Sequence, residues 1–217
     1  NKILFLDCGC NYGFYSFYTA SLSGENIIIS FEASKLTSKE FLKNLSINNF
    51  NNIKFENKAV SENDNIDVLF NESENDWESS QTHSDFKIKE FNTIKSIKID
   101  TLLKTYNFDD YKTIIKLDIE GNEINAIQGG LKFIEQTSPI IIIEFSKYIF
   151  NQKSKIKYLI SFLSNYDYSI YDTNNKKLSL NEIMIKINQL SKKRKTIGNY
   201  YLIKNFSKNL DIFLSNE

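Results

Sequence analysis

Short, nearly continuous apolar runs alternate with segments of helical period along this chain, and that alternation restricts its fold more than any other feature of the sequence. The clearest apolar runs are residues 3–6, 27–31, 113–117 and 140–143. Strands of this kind are buried on both faces, as in a parallel sheet that is covered by helices. The sequence therefore predicts an α/β fold, with a mostly parallel sheet and helices on both of its faces.

The same patterns locate the other elements of a single domain spanning residues 1–217. Further strands are predicted at residues 53–55 (continuing toward Val60), 168–171 and 200–203, with β-like alternation at 66–70 and 94–99, and helices at 12–22, 37–47, 156–163 and 183–190. Asp100 is predicted to cap a short helix that reaches residue 106. The first residue, Asn1, directly precedes an apolar run, so we expect a chain that was trimmed at its N-terminus.

Charge and cysteine content exclude several classes of partner. The 27 basic and 27 acidic residues balance, so no net charge attracts nucleic acid or an anionic membrane. No apolar stretch reaches membrane-spanning length, and no signal peptide opens the chain. Cys8 and Cys10 are too close for an ordinary disulfide and, with one distant histidine, cannot complete a zinc site. We therefore expect a cytoplasmic protein with reduced thiols; the sequence carries no signal of its oligomeric state.

Four predicted strands end in a carboxylate, at Asp7, Glu32, Asp118 and Glu144. In an open α/β sheet, ligands bind outside the carboxyl ends of the strands, where the strand order switches. A single acid at such a place is often a helix cap. Four acids at equivalent places predict a binding site at this edge of the sheet.

The turn after the first strand reads DCGCNYG and runs from Asp7 to Gly13. The fingerprint for binding a dinucleotide needs glycine at its first, third and sixth positions, but Asn11 and Phe14 occupy two of them when Gly9 is the first. A grip on pyrophosphate is therefore disfavoured. Glycines here let the backbone approach a ligand without phosphates, such as the methionine part of S-adenosylmethionine. Glu32 is placed to accept both ribose hydroxyls.

A second motif, KLDIEGNE, begins at Lys116 and places Asp118 and Glu120 at the predicted crevice. Methyl transfer to an alcohol needs alignment of donor and acceptor, and a group that takes the proton of the hydroxyl. We predict that Asp118 or Glu120 orients the acceptor or accepts this proton, with help from Glu144. The alternative is that Asp118 caps the next helix while Glu120 and Glu123 complement its dipole. No metal ligands are assigned, although such acids serve a divalent ion as readily as a sulfonium cation.

The segments DCGCNYG, FEAS, NKAVSEN, SIKIDTLL, IKLDIEGNE and PIIIIEF resemble the FkbM family of S-adenosylmethionine-dependent methyltransferases over residues 3 to about 146. The resemblance implies a Rossmann-like, seven-stranded methyltransferase fold. It also implies transfer of a methyl group to a hydroxyl oxygen of a glycan or a small natural product. The cofactor residues that it implies are Asp7, Gly9, Cys10, Asn11, Gly13, Glu32 and Ala33, with Asn57, Ala59 and Val60 near the adenine. Asp118 is also expected to contact the cofactor, because a carboxylate near the sulfonium stabilises the cation. Cys10 departs from the family, which often has a smaller residue such as alanine there.

Residues 71–90 form a long, polar, acid-rich segment that contains Trp77 and the single histidine, His83. Connections of this length are uncommon unless they are mobile or functional, so we predict a lid over the acceptor site. A histidine at this place is either a base that works near neutral pH or an exposed side chain without a chemical role.

Other functions fit less well. A nucleobase N-methyltransferase would carry an N/D-P-P-Y/F segment, and Pro139 is the only proline; the Pro-Cys nucleophile of a cytosine C5 enzyme is also absent. A nicotinamide-dependent oxidoreductase is disfavoured by Asn11 and Phe14. A catalytically idle module that keeps the fold and binds a partner remains an alternative, which the acids Asp118, Glu120 and Glu144 make less attractive.

Overall fold

A computed structural model of the chain describes residues 2–73, 88–105, 108–191 and 194–205. Its main sheet is formed, in chain order, by β1 (Lys2–Cys8), β2 (Ile27–Phe31), β3 (Ile53–Glu56), β7 (Tyr111–Leu117), β8 (Ile140–Ser146), β9 (Tyr168–Tyr171), β10 (Lys177–Leu178) and β11 (Thr196–Lys204). A smaller sheet contains β4 (Ala59–Val60), β5 (Asp67–Ser73) and β6 (Ile88–Ile97). The helices are α1 (Phe14–Leu22), α2 (Lys35–Asn48), α3 (Glu123–Gln128), α4 (Leu131–Thr137), α5 (Lys147–Phe150), α6 (Lys153–Asn165) and α7 (Leu180–Asn188).

The predicted α/β class is confirmed. The main sheet has the order β10-β9-β11-β8-β7-β1-β2-β3, and the five strands from β8 to β3 are parallel. β11 runs antiparallel to both β8 and β9. The described residues form eight strands in this sheet, one more than predicted, because the two-residue β10 is too short to leave an alternating pattern.

The strand order switches between β1 and β7, and this switch positions the candidate site. The chain continues from β1 outward to β2 and β3, and then returns to place β7 on the opposite side of β1. The ladder between β1 and β7 runs in register from Lys2 opposite Tyr111 to Cys8 opposite Leu117. The connections that follow these two strands therefore diverge from one point at the carboxyl edge of the sheet.

The apolar runs are buried as the sequence predicts, because both faces of the central strands are covered. Leu4, Leu6, Ile29, Ile115 and Ile141 are among the buried residues of the largest core cluster. Helix α2 is capped by Ser34, whose hydroxyl accepts the backbone N–H of Thr37. Helix α7 begins with a capping box between Ser179 and Glu182. Among the described residues, no helix combines the length and apolarity that a membrane crossing requires.

Three local predictions were wrong. The third strand does not continue to Val60: β3 ends at Glu56, and Ala59 and Val60 pair with β6 in the smaller sheet. Asp100 does not cap the short helix, which is a 3₁₀ helix over Ile99–Lys104; its carboxylate accepts the N–H of Phe133 in α4 instead. Helix α1 begins at Phe14 rather than at residue 12, because Gly13 adopts a left-handed conformation.

The predicted lid at residues 71–90 is partly replaced by strand. Residues 71–73 belong to β5 and residues 88–90 to β6, and these two strands pair in antiparallel register. Residues 74–87, which include Trp77 and His83, lie outside the described residues.

The turn at Gly9 generates the first prediction. Gly9 has a φ of +79°, and a Cβ at this position would meet the backbone carbonyl oxygen of Asp118. Gly9→Ala should therefore lower the free energy of unfolding by about 2 kcal/mol or more, from both strain and overlap. Urea denaturation measures the change.

Gly24→Ala is the matched control, because a Cβ at Gly24 meets nothing within 4 Å. That substitution should change the free energy of unfolding by less than about 0.5 kcal/mol. Equal effects of the two substitutions would contradict the account of the turn.

Candidate active site

The turn after β1 is tied to the end of β2 by its own backbone. The N–H groups of Gly9 and Cys10 both donate to the carbonyl oxygen of Phe31, at 2.9 and 3.0 Å. The N–H of Asn11 donates to Oε2 of Glu32 at 2.9 Å. Tyr12 donates to the side chain of Asn11, and Gly13 to the carbonyl of Cys10. All five amides of the turn are thus engaged within the protein.

This pattern bears on the kind of ligand that the turn accepts. Loops that bind phosphates present several backbone N–H groups to the anion. Here the amides from Gly9 to Gly13 donate to protein oxygens instead. The turn therefore approaches a ligand through its glycine backbone and offers no cradle of amides to a pyrophosphate.

Glu32 lies directly after β2, and two backbone amides hold its carboxylate. Oε2 accepts from Asn11, as above, and Oε1 accepts from the N–H of Ser34 at 2.8 Å. The residue is 8% exposed and contributes to the wall of a cavity. A carboxylate that is fixed in this way presents a constant acceptor surface to a bound molecule.

The cavity has a volume of about 570 Å³ and lies at the carboxyl ends of β1, β2 and β7. Nine of the residues predicted from sequence line it: Gly9, Cys10, Asn11, Glu32, Ala33, Ala59, Val60, Asp118 and Glu120. A drug-sized ligand fits a cavity of this size, with apolar walls and a few fixed polar groups. The structure therefore brings both predicted motifs to one site.

Three predicted cofactor residues lie behind the cavity wall. Asp7 is fully buried in β1, where its carboxylate accepts from the hydroxyl of Ser16 at 2.6 Å. Asn57 donates its side-chain amide to the carbonyl of Glu32 at 2.7 Å and to Ser38 at 2.9 Å. Gly13 has a φ of +93° and precedes α1. These residues shape the turn and the end of β2, and none of them lines the cavity.

The three acids predicted for chemistry come together. Asp118, Glu120 and Glu144 each place a carboxylate oxygen within 4.8 Å of the other two. Asp118 follows β7 directly, and Glu120 has a φ of +52°. Glu144 lies within β8, not at its end, and accepts a hydrogen bond from the hydroxyl of Thr196 at 2.9 Å.

Burial and a neighbouring charge lower the acidity of one member of this cluster, Glu144. The pKa of Glu144 is raised to about 7, first by burial and then by the charge of Asp118, against the opposing effects of Thr196 and Lys116. A like charge next to a carboxyl disfavours its ionised form. The cluster can therefore hold a proton, and its geometry could also hold one divalent cation.

Lys116 is a site residue that belongs to the KLDIEGNE motif but for which the sequence predicted no role. Its side chain is 4% exposed, and its Nζ lies 2.8 Å from Oδ2 of Asp118 and 5.1 Å from the centre of the Tyr15 ring. Burial favours the neutral amine, but the charges of Asp118 and Asp7 outweigh it and raise the pKa of Lys116. The signal was the K-x-D spacing, which places both side chains on one face of a strand.

Aromatic residues at the cavity were also missed. Phe14 and Tyr15 line it and are 76% and 48% exposed, and their rings contact each other edge to face. The sequence predicted a helix over residues 12–22 but assigned no binding role to either ring. They lie instead in the first turn of α1, which opens onto the cavity.

Similarity to known proteins agrees with this geometry. A family model described as a methyltransferase FkbM domain matches residues 7–170. The structure of methyltransferase FkbM from Methylobacillus flagellatus KT is 18% identical, with a TM-score of 0.54 over 93% of this chain and 43% of that one. A putative rRNA-methylase from Clostridium thermocellum is 12% identical, with a TM-score of 0.50 over 93% of this chain and 86% of that one.

These solved structures differ in how much of their length matches this chain. The chain spans less than half the length of the Methylobacillus protein. At these identities, the solved structures support the fold alone. No curated protein sequence matches the chain.

The raised pKa of Glu144 generates a prediction about stability. Between the ordinary value of 4.5 and about 7, the folded protein holds a proton on Glu144 that the unfolded chain has released, so stability should fall as the pH rises through this window. Glu144→Gln removes this titration. The variant's melting temperature should therefore fall less than that of the wild type across the window.

Some pH dependence should remain, because the pKa of Glu123 is also raised to about 7 by burial. Glu135→Gln, at an exposed position of α4, is the control and should follow the wild type. Melting curves of wild type and Glu144→Gln that stay parallel from pH 4.5 to 8 would contradict the assignment.

Proposed function

Since this chain belongs to the FkbM methyltransferase family, we propose that it binds S-adenosylmethionine in the cavity beside Glu32 and transfers its methyl group to a hydroxyl oxygen of a glycan or small natural product. The observation that carries this proposal is that one cavity is lined by Glu32, by the turn whose amides are not available to a phosphate, and by the acids Asp118 and Glu120. Bound S-adenosylmethionine would supply an electrophilic methyl group on a sulfonium sulfur.

The walls of the cavity fit this cofactor. Glu32 would accept the ribose hydroxyls, because its carboxylate is held at the wall by the amides of Asn11 and Ser34. Ala33, Ala59 and Val60 offer small apolar surfaces for the adenine ring. Gly9 lets the backbone approach the methionine part, since it carries no side chain.

The acid cluster would accept the proton that leaves the hydroxyl group of the acceptor. An alcohol becomes a good nucleophile only as its proton leaves. Glu120 lines the cavity and faces the acceptor in this proposal, whereas a carboxylate oxygen of Asp118 is already paired with Lys116 at 2.8 Å. Glu144, with a pKa of about 7, is the member of the cluster that takes up a proton near neutral pH.

Exposed aromatic rings beside the cavity favour the proposal that the acceptor is a carbohydrate or another molecule with hydroxyl groups. Phe14 and Tyr15 stand at the cavity, and Tyr18 is exposed one turn further along α1. Exposed apolar surface beside a polar site marks a groove for a ligand. The flat faces of such rings pack well against the C–H face of a sugar.

We also propose the cytoplasm as the location of the protein. Cys8 and Cys10 are both buried and unpaired. Free thiols of this kind are typical of a reducing compartment.

Glu32 is the sharpest test of cofactor binding. Glu32→Ala should weaken S-adenosylmethionine binding by about 1.5–3 kcal/mol, the usual range for hydrogen bonds to a charged group. Titration calorimetry measures the affinity, and a melting curve on the same sample shows that the protein is folded. Glu40→Ala, an exposed acid on α2, should bind like the wild type. A folded Glu32→Ala variant with unchanged affinity removes this residue from the site.

Glu120 tests the chemistry. Glu120→Gln keeps the shape of the side chain but removes its charge, so turnover should fall roughly 10²–10⁴-fold if Glu120 accepts the proton. Transfer of labelled methyl groups from S-adenosylmethionine to a panel of oligosaccharides and simple alcohols measures turnover. Asp118→Asn should lower turnover too and also weaken cofactor binding, because a carboxylate near a sulfonium favours the cation.

The two readings of these acids predict different results. A capping role alone lowers stability by about 0.5–2 kcal/mol and leaves turnover per folded molecule intact. Wild-type turnover in both variants would mean that Glu144 or His83, and not Asp118 or Glu120, accepts the proton.

A further inference from the structure

The loop between β7 and α3 carries the reacting acids into the cavity in an unusual backbone conformation. Its consecutive residues Glu120 and Gly121 have φ values of +52° and +97°. The left-handed region is unfavourable for a residue with a side chain, so it persists only where the surroundings hold it. The contacts that hold this loop therefore also set the position of the Glu120 carboxylate.

Glu123, the first residue of α3, holds the loop from behind. It is fully buried, and its Oε1 accepts the backbone N–H groups of Ile119 and Gly121, both at 3.1 Å. Its Oε2 is buried and has no hydrogen-bond partner within the described part of the chain. Burial raises the pKa of this carboxyl to about 7. Burying a carboxyl whose second oxygen has no hydrogen-bond partner lowers the stability of the fold. Glu123 also does not line the cavity.

Lys155 of α6 holds the same residue, Gly121, through its carbonyl group. Its Nζ donates to the carbonyl oxygen of Gly121 at 2.7 Å. Burial lowers the pKa of Lys155, while the charges of Glu123 and Glu62 oppose that shift. Gly121 therefore has its N–H bonded to Glu123 and its carbonyl bonded to Lys155. The next residue, Asn122, donates its side-chain amide to the carbonyl of Val60 at 2.8 Å.

We propose that Glu123 and Lys155 are positioning residues that form a brace behind the active site and hold the left-handed turn at Glu120–Gly121 in the geometry that methyl transfer requires. The catalytic part of this inference rests on the proposed function. The hydrogen bonds of the brace all go to the backbone of residues 119–121, and neither side chain lines the cavity. Loss of the brace should therefore affect turnover far more than the affinity for the cofactor.

Three variants separate the parts of the brace. Glu123→Ala removes the acceptor of both amides, and turnover should fall roughly 10²-fold, the scale of a small displacement of a reacting group. Glu123→Gln keeps an Oε1 acceptor at the same place and should retain turnover within about fivefold of the wild type. Lys155→Met keeps the apolar stem but cannot donate to Gly121, so turnover should fall in the same direction. The affinity for S-adenosylmethionine should stay within about threefold in all three.

The double variant adds a test of coupling. If both side chains hold one turn, Glu123→Ala with Lys155→Met should lose less turnover than the product of the two single losses. Two unconnected structural residues would give independent losses. Glu135→Ala, at an exposed position of α4, is the control and should match the wild type throughout.

A readout without an acceptor keeps the brace separate from the proposed function. Amide hydrogen exchange at Ile119 and Gly121, measured by NMR, should become faster in Glu123→Ala and stay protected in Glu123→Gln. This holds even if no variant transfers a methyl group, which would refute the proposed function alone. Unchanged exchange at both amides in Glu123→Ala, or unchanged turnover in that folded variant, overturns the brace. If Glu123→Ala does not fold, the same criteria apply to Lys155→Met. The readout is then hydrogen exchange at the backbone amide of Asn122, which shares a peptide group with the Gly121 carbonyl that Lys155 contacts.

Discussion

The backbone contact between the ends of β1 and β7 is the constraint on which the site depends. Asp118 donates its N–H to the carbonyl of Cys8 at 3.1 Å, and its own carbonyl lies so close to Gly9 that no side chain fits there. This contact extends the β1–β7 ladder by one residue beyond the sheet and joins the two diverging connections. The turn that faces the ligand and the loop that carries the acids are therefore held against each other by main-chain atoms.

The charged side chains near this contact do not balance, because acids outnumber the single buried lysine. Lys116 is the buried cation that compensates Asp118, and Asp7 lies near it on the interior side. Lys116 and Thr196 offset only part of the effect of burial and of Asp118 on Glu144, so the pKa of Glu144 is raised. One lysine thus balances part of an acidic cluster, and the remaining charge makes that cluster a good acceptor for a proton or a cation.

The sequence predicts the elements, the shared site and most of the residues that line the cavity, but not all of them. The apolar runs and the acids at the ends of β1, β2 and β7 mark the sheet and its carboxyl edge, since both patterns are local. Asp7 and Asn57 were assigned to the cofactor because they lie in motifs, yet each is turned toward the protein by partners that are distant in sequence, such as Ser16 and Ser38. The exposure of Phe14 and the role of Lys155 depend on packing between elements, which no local pattern encodes.

The engaged amides of the turn from Gly9 to Gly13 favour S-adenosylmethionine over a dinucleotide. Parallel calorimetric titrations of the wild-type protein with S-adenosylmethionine and with NAD test this preference most directly. We expect saturable binding of S-adenosylmethionine at one site per chain and no binding of NAD at the same concentrations. Saturable binding of NAD without binding of S-adenosylmethionine would contradict this preference.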